Sequence, residues 1–524
     1  MHHCFSVDEI LRLLACTLVA SEAKATAVAL ACSCRSFEDP VLDALWKTQD
    51  QLFPLLKSLP GDVWKVEAGR FVSLLAMFGL VSLRLIALLG KSFNRIPTKA
   101  EWSRFRKYAR SMRELRVNTL QNPVTPDVLS ALHLRTGNEP LLPRLKTFVC
   151  EGTAEEFIPA IPLFLSSTTN HIGIKFDVDS PTLQVASTIA RLSTLCPDLE
   201  HIFLDTLPKG QVITNAASEM LLACNRDTLQ EFFVSSPLTE EARVVLYQLP
   251  KLRQLWSVIK GPISLPPVAL PSLITLSLRY DQGHQWLRGL VGATLGRLKR
   301  VAFYCNSAST PTTDFLDEFK RVALSTSSQD TLLSLAFRTS QSWNPNYSSL
   351  LVFKQLTELS IEFSCQDGCS SRVDDDLIAS LTEAMPKLET LQLGRPPCQA
   401  ATGITLKGLV TLARHCPQLS ELCVHFQALD LAETATSTEP PPPPEHTAVV
   451  PPTNCVLTHL QVGDAPIPPG EFLAVSVTLL QVFPQIHNIK YTNPQWKHVA
   501  DTINLFKRFD GHIFHTSKPH LSRL

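Results

Sequence analysis

The sequence predicts an α/β chain: an irregular leucine-rich-repeat solenoid of parallel strands, with helices on the convex side, behind an all-α N-terminal module. Three observations lead there. One short pattern, L-x-x-L-x-L, returns from about residue 110 to about residue 492. Amphipathic stretches with helix-start residues precede many of its copies. Residues 5–50 lack the pattern and space their apolar residues as short helices do.

Clear copies are PRLKTFVC at 143–150, CPDLEHIFL at 196–204, LPKLRQLWS at 249–257, LPSLITLSL at 270–278 and FKQLTELSI at 353–361. Others are MPKLETLQL at 385–393, CPQLSELCV at 416–424 and CVLTHLQV at 455–462. Weaker copies begin at Met112, Leu229, Leu298, Leu332 and Ile486. Anchors mostly fall about 21 to about 38 residues apart, with one interval of about 54, as in a degenerate array with uneven inserts. The last two apolar positions of each copy are two apart, the period of a strand with one buried face. A strand-helix unit cannot bury its apolar side alone, so the units stack around one continuous core.

Helix starts are expected where Thr125-Pro126 and Ser180-Pro181 set a capping oxygen before a first-turn proline. Thr239, followed by Glu240 and Glu241, adds acidic charge at a helix N-terminus. Within the array, residues 431–453 hold five consecutive prolines at 440–444 and then Pro451-Pro452, which predicts a solvated, extended loop. A ligand for a proline-binding domain is the alternative use of that loop. The repeats thus span 111–492, and 493–524 form a C-terminal cap or tail.

Composition narrows the function. A chain of 524 residues exceeds what one compact core serves, which favours several domains or an elongated array. With 45% apolar and 18% charged residues it can bury a core and carries too little charge for a disordered chain. Lysine plus arginine (48) balances aspartate plus glutamate (48), so no net field steers it to nucleic acid or to an acidic membrane. Fourteen cysteines at irregular spacing, with no secretory signal in Met1-His2-His3-Cys4, predict reduced thiols and an intracellular place, cytoplasmic or nuclear. The apolar run at 71–89 is about long enough to cross a bilayer. Arg84 inside it would cost roughly 2.5–3.5 kcal/mol near the bilayer centre, so a buried helix or strand pair is expected and a membrane span is the alternative.

Residues 5–50 read as three short helices within a helical module spanning 1–60, and 61–110 as a linker and entry to the first repeat. Ser6 and Glu9 make a capping box for the first helix, with Phe5 and Ile10 as its hydrophobic staple. Val7, Ile10, Leu11, Leu14 and Leu18 share one face. Ala27, Leu30, Ala31 and Cys34 mark a second helix, and Asp39-Pro40 starts a third that brings in Leu42, Leu45 and Trp46. So small a module packs on a neighbour or a partner, and a cap on the first repeat is the plain reading.

The run ALACSCRSFEDPVLDALWKTQDQLFPLLKSLPGD at 29–62 resembles the F-box-like segment of fungal F-box/leucine-rich-repeat proteins. EWSRFRKYARSMRELRV at 101–117 resembles the segment by which those proteins reach their first repeat. With the repeats, the resemblance covers nearly the whole chain. It implies a substrate-recognition subunit of a cullin-RING (SCF-type) ubiquitin ligase: the F-box docks on the adaptor subunit and the repeats capture a target protein. By position, adaptor binding falls on Val7, Ile10, Leu11, Leu14, Leu30 and Phe37. Many F-boxes open with Leu-Pro where this chain has Phe5-Ser6. The alternative is a repeat scaffold whose F-box remnant serves only as a cap.

Outward positions lie two, four and six residues after each anchor: His201, Phe203 and Asp205, then Glu231, Phe233 and Ser235, then Gln254, Trp256 and Val258. Later copies present Thr275, Ser277 and Arg279, then Arg300, Ala302 and Tyr304, then Ser334, Ala336 and Arg338. Glu358, Ser360 and Glu362, and Glu421, Cys423 and His425, follow. Aromatic residues and arginine dominate interface hot spots, which makes Phe203, Phe233, Trp256, Arg279, Arg300, Tyr304 and Arg338 the candidate target-binding residues. Cover by inserted loops is the competing reading.

No catalytic motif, cofactor site or metal site emerges. Gly90-Lys91-Ser92 has Leu85 where a P-loop needs its first glycine, and Gly289, Gly292 and Gly296 miss the dinucleotide spacing. Cys365 and Cys369 have no second ligand pair at zinc spacing. Asp374-Asp375-Asp376 stand ahead of DLIASLTEAM and complement a helix N-terminus. Neither H-E-x-x-H nor G-x-S-x-G occurs.

Overall fold

The structure is a computed structural model. It describes residues 7–66 and 91–513, except 96, 120–123, 125, 138, 154, 178–179, 207–209, 224–226, 261–269, 281–284, 292, 306–313, 342, 364–372, 395–402, 427–454, 464 and 468–469. The apolar run at 71–89, the proline-rich loop at 431–453, Thr125, Cys365 and Cys369 therefore lie outside the described residues. Among the described residues no helix is long and apolar enough to cross a membrane. The chain divides into two compact units, Met1–Val258 and Ile259–Leu524.

The first unit opens with three helices, α1 (Asp8–Ala20), α2 (Lys24–Ser33) and α3 (Arg35–Lys47). Leu11, Ala15, Ala27, Phe37, Val41 and Ala44 form their core, with Leu14, Leu18 and Leu30 packed at its edge. Two local expectations fail. Val7, with no side-chain hydrogen bond, is the N-cap of α1, so Ser6, outside the described residues, does not hold that position. The third helix starts at Arg35 rather than at Asp39-Pro40. Pro40 lies inside it, and the backbone bond its ring forgoes is offset by burial beside Phe37 and Val41.

From α3 the chain runs directly into β1 (Thr48–Gln49), which pairs in parallel with β2 (Glu114–Val117). Between them, α4 (Lys99–Ser111) carries a full capping box of Thr98 and Glu101. Arg95 grips both oxygens of Glu101 at 2.8 and 3.0 Å and reaches Asp62 at 2.7 Å, which holds the Glu101 carboxyl down at about 2. Trp46 of α3 stacks on Tyr108 of α4 at 4.7 Å.

The repeats then add one parallel strand each: β3 (Thr147–Thr153), β4 (His171–Phe176), β5 (His201–Asp205), β6 (Glu231–Pro237) and β7 (Gln254–Ile259). The second unit stacks β8 (Thr275–Tyr280), β9 (Arg300–Cys305), β10 (Ser334–Thr339) and β11 (Glu358–Glu362). It continues with β12 (Thr390–Leu393), β13 (Glu421–Cys423), β14 (His459–Gly463) and β15 (Asn488–Tyr491). Most strands alternate, burying one face and presenting the other: Ile202 and Leu204 are buried, as are Val301, Phe303 and Cys305. The anchor leucines, such as Leu145 and Leu199, are fully enclosed, each worth about 1.5–3 kcal/mol of burial.

The interval of about 54 residues conceals a repeat with no leucine anchor, β4. Thr169 stands two residues before it, where Leu145 and Leu199 stand before β3 and β5. Fully buried, its hydroxyl donates to Leu145 O at 3.0 Å and accepts from Ser166 N at 3.3 Å. A polar anchor is tolerated because both hydrogen-bonding roles of the hydroxyl are met.

Helix caps follow the chemistry in part. Thr239 accepts from Ala242 N, and Asp374 from Leu377 N at 2.9 Å, so the aspartates do serve a helix start. Ser180 does not cap: Pro181 takes the N-cap position of Thr182–Leu195, and the buried Ser180 hydroxyl has no hydrogen-bond partner among the described residues. Asp375 ties two repeats together by accepting from Thr405 N and Oγ1, and Thr405 in turn caps Leu406–His415. The final helix, Trp496–Ile513, buries Trp496, whose indole N–H donates to Ala465 O at 2.8 Å.

Two substitutions test these locks by thermal or urea unfolding. Thr169→Val should cost about 1–3 kcal/mol by stranding a buried N–H, and Thr169→Leu should bring no gain although it restores the usual anchor. Gly408→Ala, which helix propensity alone would favour by up to about 1 kcal/mol, should instead destabilise, because its Cβ would collide with the Asp375 carboxylate.

Candidate protein-binding face

The sheet register decides which outward side chains meet. In the first unit Gly173 pairs with Phe203, Phe203 with Phe233, and Phe233 with Trp256. Neighbouring parallel strands lie about 4.8 Å apart, close to the stacking distance of aromatic rings. Accordingly Phe203 stacks on Phe233, and Phe233 on Trp256, each with centroids 4.1 Å apart and planes 19° and 20° from parallel. Phe203 remains 39% exposed, while Phe233 and Trp256 are half-buried by their neighbours. No core residue requires these rings, since the inward positions of β5 and β6 are filled by Ile202, Leu204, Phe232 and Val234.

Beside the ladder runs a polar row. His171 and His201 lie 5.1 Å apart, and His201 Nδ1 is 3.1 Å from a Glu231 oxygen, close enough for attraction though not aligned as a hydrogen bond. Burial, followed by repulsion from His201 and Arg116, lowers the pKa of His171, while Glu231 and Glu114 oppose the shift. Val258 departs from the expected outward set. A register shift between Val234 and Pro237 pairs Pro237 with Val258, and Ser257, Val258 and Ile259 are all buried there.

In the second unit Arg279, Tyr304, Arg338 and Glu362 share one row. Arg338 Nε contacts Glu362 at 2.7 Å and its guanidinium lies 6.0 Å from the Tyr304 ring, at the edge of cation–π reach. Arg300 is exposed, in register with Ser334 and Glu358, and the row between places Ser277, Ala302, Ala336 and Ser360 side by side. The aromatic and cationic residues thus form two sets, one on each unit.

The adaptor candidates separate by burial. Leu11 and Phe37 are 3% and 6% exposed and belong to the core of the helical module. Val7, Leu14 and Leu30 are half-buried, and Ile10 is exposed. Leu13, three residues on from Ile10 on the same helical face, and Val28 are exposed apolar residues outside the expected set. A face assigned through Leu11, Leu14 and Leu18 passes over Leu13; the i, i+3 spacing from Ile10 was the available clue.

Among the described residues no three histidine, cysteine or acidic side chains are grouped to hold a metal. Burial pushes the Cys150 thiol up to about 11 and those of Cys416 and Cys423 to about 12, which keeps them protonated at neutral pH.

No family model and no curated protein sequence matches the chain. Some solved structures match it in part. The Rad7–Elc1 complex of yeast matches 58% of this chain over 70% of its own, at 15% identity and a TM-score of 0.35. A protein from Bacteroides fragilis matches 56% over 69%, at 10% identity and a TM-score of 0.22. The Toll–Spatzle complex of Drosophila matches 77% over 62%, at 11% identity and a TM-score of 0.28. At such identities and TM-scores these likenesses identify neither a partner nor an activity.

The lowered pKa of His171 has a consequence for stability. The unfolded chain takes up a proton first, so the His171 contribution is complete above about pH 6.5 and is lost as pH falls from there. Between about pH 7.5 and about pH 5.5, the wild-type urea midpoint should drop more than that of His171→Gln. Equal drops would show that His171 carries no such linkage.

Proposed function

We propose that the protein works by binding other proteins through the outward face of its repeat strands and contributes no catalytic residue. The observation that carries this reading is the stacked ladder of Phe203, Phe233 and Trp256. Three large apolar side chains occupy solvent-side positions that the core does not need, and they are of the residue types that dominate interface hot spots.

The finer reading is a substrate-recognition subunit of a cullin-RING ubiquitin ligase, with the adaptor on α1 and α2 and the target on the strands. Ile10 and Leu13, exposed together on α1, and Val28 on α2 support it as apolar residues left open by the helical core. Such a subunit acts by proximity, raising the effective concentration of target lysines near the ubiquitin-charged enzyme. A second reading, a scaffold whose N-terminal helices are only a cap, is favoured by one observation. The carbonyl of Lys47, at the end of α3, accepts the Arg113 amide just ahead of β2, so the module joins the stack through the sheet's own hydrogen bonding.

A pull-down of the purified full chain with the ligase adaptor subunit separates the two, run beside Ile10→Asp combined with Leu13→Asp. Both positions are exposed, so the variant should keep the wild-type unfolding midpoint. Binding by the wild type and its loss in the variant is the expected result; a folded wild type that does not bind leaves the scaffold.

A further inference from the structure

Cations gather at the N-terminal end of the repeat sheet. Lys47, Arg113 and Lys146 hold the same place, one residue ahead of β1, β2 and β3, and the backbone joints set them side by side. Lys47 O accepts Arg113 N at 2.9 Å, and Arg113 O accepts Lys146 N at 2.7 Å. Arg144 and Lys146 flank the buried Leu145 and are both exposed, and Arg116 is exposed on β2. Among the described residues none of these five cations is in an ion pair. Pairing is common elsewhere in the chain: Arg12 reaches Asp8, Arg95 reaches Asp62 and Glu101, and Lys107 reaches Glu38. Since 48 cationic residues face 48 acidic ones, the cluster is a segregation of charge rather than an excess of it. Its members act on one another. Repulsion from Arg144, second only to burial, lowers the pKa of Arg113. Asp43 opposes that shift, but its carboxylate is also taken by Arg12 at 3.2 Å and by the Ser111 hydroxyl at 2.6 Å. The Arg113 guanidinium is tied instead to the carbonyls of Arg110 at 2.6 Å and Met112 at 3.2 Å, which fix its place without neutralising it.

We infer that this end of the sheet docks an acidic segment of a protein partner, whose aspartate and glutamate side chains pair with Lys47, Arg113, Arg116, Arg144 and Lys146. The charge of the occupant follows from the cluster, which its arrival would neutralise; the class of partner rests on the strand-face reading above. Three neighbouring strands span only about 10 Å, a length that suits a few carboxylates of an extended chain. A polynucleotide held by roughly six to ten phosphate contacts needs a longer track. The cluster is also continuous with the rest of the face. Arg116 lies close enough to His171 to disfavour its protonation, and His171 adjoins His201 on the strand that carries Phe203. Glu114 stands on the same strand as Arg116, so the segment meets one like charge among its cations.

The test titrates the full chain into a fluorescein-labelled dodecapeptide of alternating glutamate and serine, read by fluorescence anisotropy. Binding should weaken about tenfold between about 50 and about 200 mM salt. It should weaken about tenfold or more in Arg116→Gln combined with Arg144→Gln and Lys146→Gln. Those three side chains are exposed and carry like charges, so the urea midpoint of that variant should equal or exceed that of the wild type. Arg297→Gln combined with Lys354→Gln and Lys407→Gln removes the same charge from exposed positions of the second unit and should leave binding unchanged. Equal loss in the two variants would reduce the effect to net charge and overturn the site. No binding by the wild type, or tighter binding of a single-stranded polyuridylate of equal charge, would overturn it too. Trp256→Ala separates this inference from the strand-face reading and should bind the peptide as the wild type does. Loss of the peptide in Trp256→Ala, with the Arg116, Arg144 and Lys146 variant unaffected, would overturn the acidic site and leave the face standing.

Discussion

Everything in this fold rests on one hydrogen-bonding joint, repeated between strands. A single carbonyl just ahead of one strand accepts two successive amides of the next repeat. Lys146 O takes Asn170 N and His171 N, both at 3.0 Å, and Glu200 O takes Gln230 N at 2.8 Å and Glu231 N at 3.0 Å. In the second unit Leu333 O takes Thr357 N at 2.8 Å and Glu358 N at 3.0 Å. A carbonyl has two lone pairs, and using both satisfies a turn amide that would otherwise be left without a partner. The joint also sets register, so inward residues stack on inward residues and outward ones on outward ones. The aromatic ladder follows from it, because rings at equivalent positions on adjacent strands are delivered at stacking distance.

The leucine anchors made this architecture legible. A leucine three residues before an alternating apolar pair is enough to place a strand, since burial of the anchor and the period of two leave no other face for the chain to bury. The repeat at His171–Phe176 escaped because Thr169 does the same work by hydrogen bonding, and the long interval was the trace it left. Helix starts were less legible. Ser180 and Pro40 carry the expected residue types, yet Pro181 and Arg35 mark the real boundaries, since packing shifts a helix end by a residue or a turn at little cost. Val258 was misplaced because a register shift, which no periodicity reveals, turns that segment of β7 inward.

The candidate sites were legible to different depths. Outward residues follow from period two, so Phe203, Phe233 and Trp256 could be named in advance, but their stacking needed the register between strands. The adaptor candidates show the opposite difficulty. In so small a helical module apolar residues are shared between core and surface, and only the packing separates Leu11 and Phe37 from Ile10 and Leu13.

Partners docked on the strand face of the first unit would lie within reach of the exposed side chains of that face. Site-specific photocrosslinking tests such docking most directly, with the crosslinker placed at Gln254, exposed beside Trp256, or at Leu183, exposed on the helix Thr182–Leu195. Crosslinks to a discrete partner are expected from position 254 and none from position 183. Crosslinks from 183 alone would contradict docking on the strand face.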